Sequence, residues 1–542
     1  HRSLFSWIVS NPGHLSDKDV AYYRLDGKTL NRYDVIQLAN QTAHFLRETL
    51  NLNKGDRIGI ISPNSTLYAP VVLGILKAGC ICVTLNPIYS AAEMEHPVAD
   101  SDLKMIFAHP MTLKSLREAL SKLGRSFKLP NGQPSVWIIN DADAVQAATT
   151  GELDFREALQ DKDWPTERVN STEDVSFIVY SSGTSGKPKG VMLTHDNLIS
   201  NTETFNLVSR REGGPYQTAI GVLPFFHIFG LNILVLSSFL HGFRVVVVPR
   251  FDINVFCAAV QRFHANMSVV VPPILLALAR HPDVDKYDMS SLTAVISGAA
   301  PLGRELCEEV QHRLPKLGLA QGYGLSETAP VLLRCIVDRH RQHLGSAGQI
   351  VPFNEIRLVN YDGKDVAYEQ GSSGNPGEIW VRGRSVMKGY LNNPDATNEC
   401  MTPDGWFKTG DIAIVKDGFF YIVDRMKELI KYKGFQVPPA ELEDMLLAHP
   451  NIADCAVIGL YKEDIATELP MAFVVPKKGV IDLVNSSQSE KDACGNEIAN
   501  WLDSKVANHK KLRGGVVFID EIPKSQSGKI LRRVLREKAN NK

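Results

Sequence analysis

Residues 181–190 are rich in serine, threonine, glycine and lysine, a composition that can bind phosphate groups. This segment follows the apolar run 175–180, which predicts a buried strand. Backbone N–H groups of small residues, together with lysine ammonium groups, can surround a polyphosphate. A Walker A loop needs Ser or Thr after Gly-Lys, whereas Pro188 follows Lys187, so the pattern excludes a P-loop NTPase. Composition alone leaves a solvated linker as the alternative interpretation.

A second glycine-rich segment, 321–328, combines an aromatic ring with a carboxylate. Its glycines allow a flat ring to approach the backbone closely, and Tyr323 can stack on such a ring. Glu327 offers a hard oxygen ligand for Mg²⁺. A plain turn with an exposed acid is the alternative. No serine of the chain lies in a Gly-x-Ser-x-Gly elbow, so the sequence does not predict an α/β-hydrolase.

Four further residues have side chains that suit a nucleotide or acyl site. Asp411 and Arg425 could hold a ribose or a phosphate, although a turn Asp is often only a cap. Lys529, on a Ser/Gly loop, could neutralise a carboxylate and a phosphate together, unless it belongs to a solvated basic tail. His227 lies in the apolar segment 224–230, where an isolated histidine is commonly a core residue.

Short apolar runs alternate with helical patterns, and this alternation predicts an α/β fold with parallel sheets covered by helices. The clearest predicted strands are 57–62, 104–108, 135–139, 177–180, 244–248 and 267–271, and the clearest helices are 33–50 and 67–78. From about Gly345, closely spaced turn signals predict a small antiparallel sheet or barrel. A new set of elements follows, so we place a domain boundary near 424–427.

Length, net charge, cysteine content and hydropathy limit the kinds of protein that this chain can be. With 542 residues the chain is expected to form two or more domains, and a net charge of −1 argues against a nucleic-acid partner. The eight scattered cysteines favour free thiols in a reducing compartment. The most apolar run, 228–240, contains Asn232 and two serines and predicts a buried helix, not a membrane span. No targeting signal is visible in the given chain, and we expect a cytoplasmic or peroxisomal protein, monomeric or weakly oligomeric.

Taken together and in order, the motifs of this chain resemble those of the adenylate-forming superfamily of acyl-CoA synthetases, 4-coumarate–CoA ligases and beetle luciferases. The resemblance covers nearly the whole chain and is strongest to the 4-coumarate–CoA ligase branch. The motifs that carry it are 181–190, 224–227, 297–303, 321–328, 377–383, 387–390, 405–411, 424–425, 427–437 and 523–530.

The resemblance implies a large N-terminal domain, 1–424, of two helix-covered sheets and a small β-barrel near 345–424. A hinge at 425–427, centred on Lys427, would lead to a smaller mobile α+β C-terminal domain, 428–542. It also implies two half-reactions. A carboxylate first attacks the α-phosphate of ATP to give acyl-AMP and pyrophosphate; the C-terminal domain then rotates and coenzyme A displaces AMP.

The resemblance also implies a role for particular residues. Lys529 would bridge carboxylate and α-phosphate, with Mg²⁺ on Glu327. ATP and AMP would be held by Ser181, Ser182, Gly183, Thr184, Ser185, Lys189, Gln321, Gly322, Tyr323, Ser326, Asp411 and Arg425. The acyl pocket would be lined by His227, Phe229, Ile233, Gly298, Ala299 and Gly322. After rotation, Lys431 and Gln436 would face the site, while Arg250, Lys433 and Gly434 would contact coenzyme A.

Four positions depart from the coumarate-ligase pattern, and at one of them Ser326 replaces the commoner Thr but keeps the hydroxyl. Phe229 stands where those enzymes commonly have Tyr, Ile233 replaces a small polar residue, and Trp380 replaces a cysteine. We therefore expect an apolar pocket for an aryl, medium-chain or longer aliphatic acid. Two alternatives remain: a luciferase-like adenylating oxidase, and an adenylation protein that serves a carrier's phosphopantetheine arm. Since Lys529 and Glu327 are both retained, catalysis is favoured over a degenerate binding protein.

Overall fold

The protein is described here from a computed structural model. The residues that it describes are 2–10, 15–126, 128–141, 152–181, 187–211, 218–336, 342–360, 362–367, 375–433, 435–465, 467–525 and 528–540. Among them, no helix is both long enough and apolar enough to cross a membrane. All eight cysteines carry free thiols, as the sequence predicts.

Two large sheets dominate the N-terminal domain. Within the described residues, one sheet has eight strands, in the order Gly389–Tyr390, Lys189–Thr194, Val175–Ser181, Ile81–Leu85, Arg57–Ile61, Met105–Ala108, Val136–Ile138 and Leu153–Asp154. The other has nine, in the order Gln349–Ile350, Val331–Arg334, Gly318–Gly324, Ala294–Ser297, Met267–Val270, Thr218–Gly221, Arg244–Val247, Val20–Tyr23 and Thr29–Asn31. The interior strands pair in parallel, as predicted, and antiparallel strands are added at the edges.

Helices cover these sheets, and most of them begin at a side chain that caps the first turn. Asn31 with Asp34, and Ser90 with Glu93, form reciprocal capping boxes, and Asp252 accepts from two backbone N–H groups. The main N-terminal helices are Arg32–His44 extended by Phe45–Thr49, Tyr68–Lys77, Ala91–Asp100, Leu113–Lys122, His195–Arg211, Ile253–Phe263, Pro272–Arg280, Arg304–Arg313 and Pro394–Cys400.

The predicted buried helix is present between the two sheets. It runs continuously through the segments Ile228–Gly230, Leu231–Ser237 and Ser238–His241 and ends at Gly242, whose φ of 78° suits a glycine. Its polar Asn232 is satisfied inside the core, because its amide nitrogen donates to Asn201 Oδ1 at 2.7 Å and to the Ala329 carbonyl at 3.0 Å. The run is therefore a core helix, as the sequence indicates.

A five-stranded antiparallel sheet closes the described part of the N-terminal domain, where the sequence predicts a small antiparallel sheet or barrel. Its strand order is Asp365–Val366, Asn354–Val359, Gly377–Gly383, Phe407–Lys416 and Phe419–Arg425. The last two strands form a hairpin whose turn residues, Asp417 and Gly418, both have positive φ, as a tight two-residue turn requires. This hairpin sets Asp411 directly opposite Arg425.

The smaller C-terminal domain combines short sheets with helices. Its strands are the pair Ile430–Tyr432 and Phe435–Val437 and the sheet Ile452–Lys462, Thr467–Pro476 and Gly515–Phe518. Its helices are Pro439–Leu447, Gln488–Asp503 and Arg532–Asn540. Asp424 joins the domains at the predicted boundary, since its Oδ2 accepts from Ala440 N at 3.0 Å at the start of the first of these helices. Burial raises the pKa of Asp424 to about 6.

Candidate active site

A cavity opens at the carboxyl ends of the parallel strands of the nine-stranded sheet, the edge at which open α/β sheets bind ligands. It has an empty volume of about 700 Å³, part of which is open to solvent. Its wall includes nine of the predicted site residues, namely His227, Phe229, Ile233, Gly298, Ala299, Gly322, Tyr323, Ser326 and Lys529. The cavity is therefore the place where all six predicted acyl-site residues meet.

The acyl side of the cavity is mainly apolar. A Cβ atom at Gly298 would lie 3.1 Å from the Phe229 ring, so the glycine leaves the space that this ring occupies. Ile233 is buried beside it. One charged side chain, Arg334, also lies in the wall, with its guanidinium 5.0 Å from the centre of the Phe205 ring. An apolar tail would bury its surface here.

His227 is fixed by the start of the buried helix. Its Nδ1 accepts from Phe229 N at 3.3 Å, so in the neutral ring the proton is on Nε2. Burial lowers the pKa of His227 to about 3, and the nearby Lys529 ammonium adds to this effect. The imidazole is thus neutral at physiological pH and can donate from Nε2.

Lys529 reaches the same cavity from the C-terminal domain. Burial lowers its pKa, and Arg425 lowers it further, while Glu327 and Asp411 act in the opposite direction. The loop that carries it is pinned by Gly528, because a Cβ there would lie 3.2 Å from Val271 and Pro273 and the φ is 77°. We call this placement, with Lys529 in the cavity of the N-terminal domain, the docked arrangement.

A carboxylate–guanidinium pair lies beside Lys529. Arg425 Nε donates to Asp411 Oδ1 at 3.1 Å, and the Tyr323 hydroxyl donates to Asp411 Oδ2 at 2.7 Å. Asp411 raises the pKa of Arg425, so its cation is retained. Burial raises the pKa of Tyr323, and the phenol stays protonated. These groups offer charged and neutral polar contacts of the kind that hold a ribose.

Glu327 is buried on the other side of the lysine. Its Oε1 accepts from the Tyr390 hydroxyl at 2.8 Å, and the Lys189 ammonium lies 4.9 Å from the centre of the Tyr390 ring. Within the described residues, no group of three or more His, Cys, Asp or Glu side chains could hold a metal ion. Glu327 supplies a carboxylate oxygen, the type of ligand that can hold Mg²⁺ together with substrate phosphates.

The phosphate loop is described only at its base. Ser181 ends one strand and pairs with Lys189 at the start of the next, so the loop joins two antiparallel strands. Ser182, Gly183, Thr184 and Ser185 lie outside the described residues. Gln321 is buried outside the cavity wall, where its side-chain amide pairs with both backbone polar groups of Leu302. Its structural contact is therefore with the 297–303 motif.

The residues predicted to act after domain rotation are not gathered at the cavity in the docked arrangement. Lys431 and Gln436 face each other across the exposed hairpin of Ile430–Tyr432 and Phe435–Val437. Lys433 follows in the turn of this hairpin and is exposed, and Arg250 is exposed on the N-terminal domain. Gly434 lies outside the described residues. Lys427, the predicted hinge residue, is in the turn between the strands that end at Arg425 and begin at Ile430.

Sequence reasoning missed several residues of the site. Tyr390 carries the hydrogen bond to Glu327, and its motif, 387–390, was noted without a role. Thr204 and Phe205 line the cavity from the helix His195–Arg211, and Arg334 lines it from the strand Val331–Arg334, next to the edge strand of the nine-stranded sheet. No local sequence signal marks them, because their position depends on how the sheets pack.

Comparison with known proteins tests what this geometry suggests. A family model described as AMP-binding enzyme matches residues 13–391, and one described as AMP-binding enzyme C-terminal domain matches residues 441–529. The chain belongs to the AMP-binding enzyme family. It is 36% identical to 4-coumarate–CoA ligase 1 of Arabidopsis thaliana, over 100% of this chain and 93% of that protein. It is 37% identical to probable 4-coumarate–CoA ligase 1 of Dictyostelium discoideum, over 97% of this chain and 93% of that protein.

Solved structures of AMP-binding enzymes are similar over their full length. The crystal structure of ATP-bound MatB from Rhodopseudomonas palustris has a TM-score of 0.82 and 26% identity, covering 99% of this chain and 98% of that one. The anthranilate–CoA ligase AuaEII, in complex with anthranoyl-AMP, has a TM-score of 0.83 and 23% identity, covering 99% and 97%. The predicted fold is thereby confirmed, and the chain has the adenylate-forming fold with a large N-terminal and a smaller C-terminal domain.

Proposed function

We propose that this protein is an ATP-dependent acid–CoA ligase that forms an acyl-AMP and then a CoA thioester, releasing pyrophosphate and AMP. The observation that carries the proposal is the meeting of Lys529 with an apolar cavity, a neutral His227 and the Asp411–Arg425 pair. An apolar acyl site next to polyanion-binding groups suits the joining of a carboxylic acid to a nucleotide.

In the first half-reaction, a carboxylate oxygen bonds to the α-phosphorus of ATP and the bond to the β-phosphate oxygen breaks, so that pyrophosphate leaves. Both reactants are anions, and Lys529 lowers their repulsion by placing an ammonium between them. Asp411 and Arg425 hold the ribose, and Lys189 with the loop from Ser181 holds the departing phosphates. Bound with ATP, Mg²⁺ neutralises phosphate charge; Glu327 is the residue that would hold it.

In the second half-reaction, the thiol sulfur of coenzyme A bonds to the acyl carbon, the bond to the AMP oxygen breaks, and the thiol proton passes to solvent. In the docked arrangement Lys529 occupies the cavity wall, whereas Lys431 and Gln436 are on an exposed hairpin. We infer that the C-terminal domain rotates about Lys427 between the steps, so that this hairpin replaces the Lys529 loop. Arg250, Lys433 and Gly434 then contact coenzyme A.

The cavity favours an aryl or an aliphatic acid. Phe229, Ile233 and Gly298 offer a wall without hydrogen-bond donors on their side chains, which suits an apolar tail. The guanidinium of Arg334 in the same wall makes acids with a second polar group worth testing.

The test is acid-dependent ATP–pyrophosphate exchange, measured with and without coenzyme A on aryl, medium-chain, long-chain and dicarboxylic acids. We expect exchange with one class of acid, and its thioester when coenzyme A is present. Exchange without thioester would point instead to a carrier-bound or oxygen-dependent second step. Bound ATP with no exchange for any acid in the panel would contradict the proposal.

A further inference from the structure

One arginine of the N-terminal domain binds the backbone of the C-terminal domain. Arg280 is the last residue of the helix Pro272–Arg280. Its Nη1 donates to the carbonyls of Ile452 and Ala453, at 3.4 and 3.1 Å, and its Nη2 donates to the carbonyl of Leu447 at 3.3 Å. One planar guanidinium thus spans the turn that joins a helix to a strand in the other domain.

Two of the three acceptors, the carbonyls of Leu447 and Ala453, lie where their own elements leave backbone groups available. Leu447 is the last residue of the helix Pro439–Leu447, where carbonyls have no intrahelical partner and the helix dipole favours a cation. Ala453 lies at the point where the pairing of Ile452–Lys462 with Thr467–Pro476 shifts register, so the ladder is interrupted there. A guanidinium with five donors in a fixed plane matches such a cluster better than a lysine does.

Glu309 holds this guanidinium in place from the N-terminal side. Its Oε1 and Oε2 accept from Arg280 Nε at 2.9 Å and Nη2 at 3.0 Å, a bidentate pair. Glu309 belongs to the helix Arg304–Arg313, which packs against both Pro272–Arg280 and the C-terminal helix Pro439–Leu447. Arg280 is therefore orientated before the C-terminal domain arrives.

We propose that Arg280 is a positioning residue that holds the C-terminal domain in the docked arrangement and so keeps Lys529 in the cavity. This inference rests on the proposed two-step ligase function. Arg280 touches no cavity residue through these bonds, so its effect on chemistry passes through the orientation of the domain. Loss of the Arg280 guanidinium should therefore slow adenylate formation. Thioester formation, which needs the rotated C-terminal domain, should be spared.

The experiment compares the two half-reactions in Arg280→Met. We expect acid-dependent pyrophosphate exchange to fall about tenfold, which corresponds to ~1.4 kcal/mol of lost preference for docking. Thioester formation from supplied acyl-AMP and coenzyme A should be unchanged or faster. Arg280→Lys keeps the positive charge but lacks the planar guanidinium. Its rate of pyrophosphate exchange should lie between those of wild type and Arg280→Met. Exchange at the wild-type rate, or equal losses in both half-reactions, would overturn the proposal.

Two further variants separate positioning from damage to the fold. Glu309→Gln keeps Arg280 and the shape of its partner but removes the partner's charge. It should lower pyrophosphate exchange by a smaller factor than Arg280→Met does. Arg262→Met is the matched control, because Arg262 also donates to two backbone carbonyls, those of Leu25 and Asp26, but within the N-terminal domain. It should leave both half-reactions as in wild type; a fall like that of Arg280→Met would count against the proposal.

Measuring the distance between the two domains tests the role of Arg280 without any acid substrate. Spin labels at Val255→Cys and Val484→Cys, both exposed, report the distance between domains, with Cys400 and Cys494 replaced by Ser. We expect Arg280→Met to broaden or shift the distance distribution, and Arg262→Met to leave it unchanged. If wild type exchanges pyrophosphate with no acid, the proposed function fails; if Arg280→Met leaves the distances unchanged, the positioning role fails.

Discussion

At the scale of single residues, Lys529 and His227 line the same cavity, and the positive charge of the lysine affects the protonation of the histidine. The ammonium helps to keep the imidazole neutral, and the imidazole offers a donor without a charge that would compete with Lys529. With His227 neutral, the cationic side chains in the cavity wall are those of Lys529 and Arg334. In the proposed reaction, Lys529 is the one that lies between the carboxylate and the phosphate.

Replacing Lys529 should affect one half-reaction only. In Lys529→Ala we expect acid-dependent pyrophosphate exchange to fall by at least about a hundredfold, because the ammonium that offsets two anions is lost. Thioester formation from supplied acyl-AMP should stay close to wild type. Both rates are measured on the same folded preparation, and loss of both would contradict the assigned role.

Phe229 lines the cavity at a position where the resemblance to coumarate ligases leads us to expect Tyr. Phe229→Tyr adds a hydroxyl to a ring that lies at the cavity wall, so it should favour an acid that carries a phenolic hydroxyl. We expect the ratio of kcat/KM for 4-coumarate over cinnamate to rise about tenfold. Cinnamate is the matched control because it lacks only that hydroxyl; an unchanged ratio would place the acid's hydroxyl away from residue 229.

At the scale of elements, a buried histidine at the start of a helix makes the stability of the fold depend on pH. His195 begins the helix His195–Arg211, and its Nδ1 accepts from Leu4 N at 3.1 Å, which ties the N-terminal helix Leu4–Ile8 to the core. Burial lowers the pKa of His195 to about 4, with a further contribution from Lys54. The folded protein thus holds this ring neutral.

The sign of the resulting pH dependence follows from this shift. Below about pH 6.5 the unfolded chain binds a proton at His195 that the folded protein does not, so the free energy of unfolding falls as pH drops towards 4. The loss is up to about 3 kcal/mol. We expect His195→Asn, which keeps an acceptor near Nδ1, to reduce the drop in urea midpoint between pH 7 and pH 4.5.

His281→Asn is the control for that measurement. His281 also accepts a backbone N–H through Nδ1, from Asp283, but its side chain is 43% exposed. It should leave the pH dependence of the urea midpoint as in wild type. An identical acid response of wild type and His195→Asn would show that other groups control acid unfolding.

The sequence predicts elements better than it predicts the contacts between them. The strands at 57–62 and 244–248 appear as Arg57–Ile61 and Arg244–Val247, because apolar β-branched runs bounded by polar residues leave few alternatives. The resemblance to the adenylate-forming superfamily likewise predicts that His227 and Lys529 share a site. Tyr390 could not be assigned in this way, since it enters the site through long-range packing that no local pattern encodes. Arg334 was not assigned either, although it lies directly opposite Gly322 on the neighbouring antiparallel strand.

At the scale of the whole molecule, two carboxyl groups meet where the domains dock. A Cβ at Gly303 would lie 1.4 Å from Asp444 Oδ1, so the C-terminal domain rests directly on this glycine. Burial raises the pKa of Asp444, and the neighbouring Glu305 raises it further. The docked arrangement thus favours the protonated acid, whereas the undocked domain exposes Asp444 to water.

Docking should therefore weaken as pH rises. The undocked Asp444 ionises near its ordinary pKa, while the docked one keeps its proton to higher pH, so between these two values increasing pH favours undocking. With the spin labels at positions 255 and 484, we expect the docked population to fall from pH 5 to pH 8. Asp444→Asn should reduce this response and leave only the contribution of other groups buried at the boundary, such as Asp424 and Lys529. A full wild-type response in that variant would assign the effect to those groups.

The Arg280 contact has a chemical asymmetry, because a side chain provides the donors and the main chain of the other domain provides three of the acceptors. Most side-chain substitutions at Leu447, Ile452 or Ala453 would leave these carbonyls in place. Mutations can thus accumulate on that side of the boundary without abolishing the interaction. This tolerance to substitution exists only in the C-terminal domain, since a single codon change at Arg280 removes every donor at once.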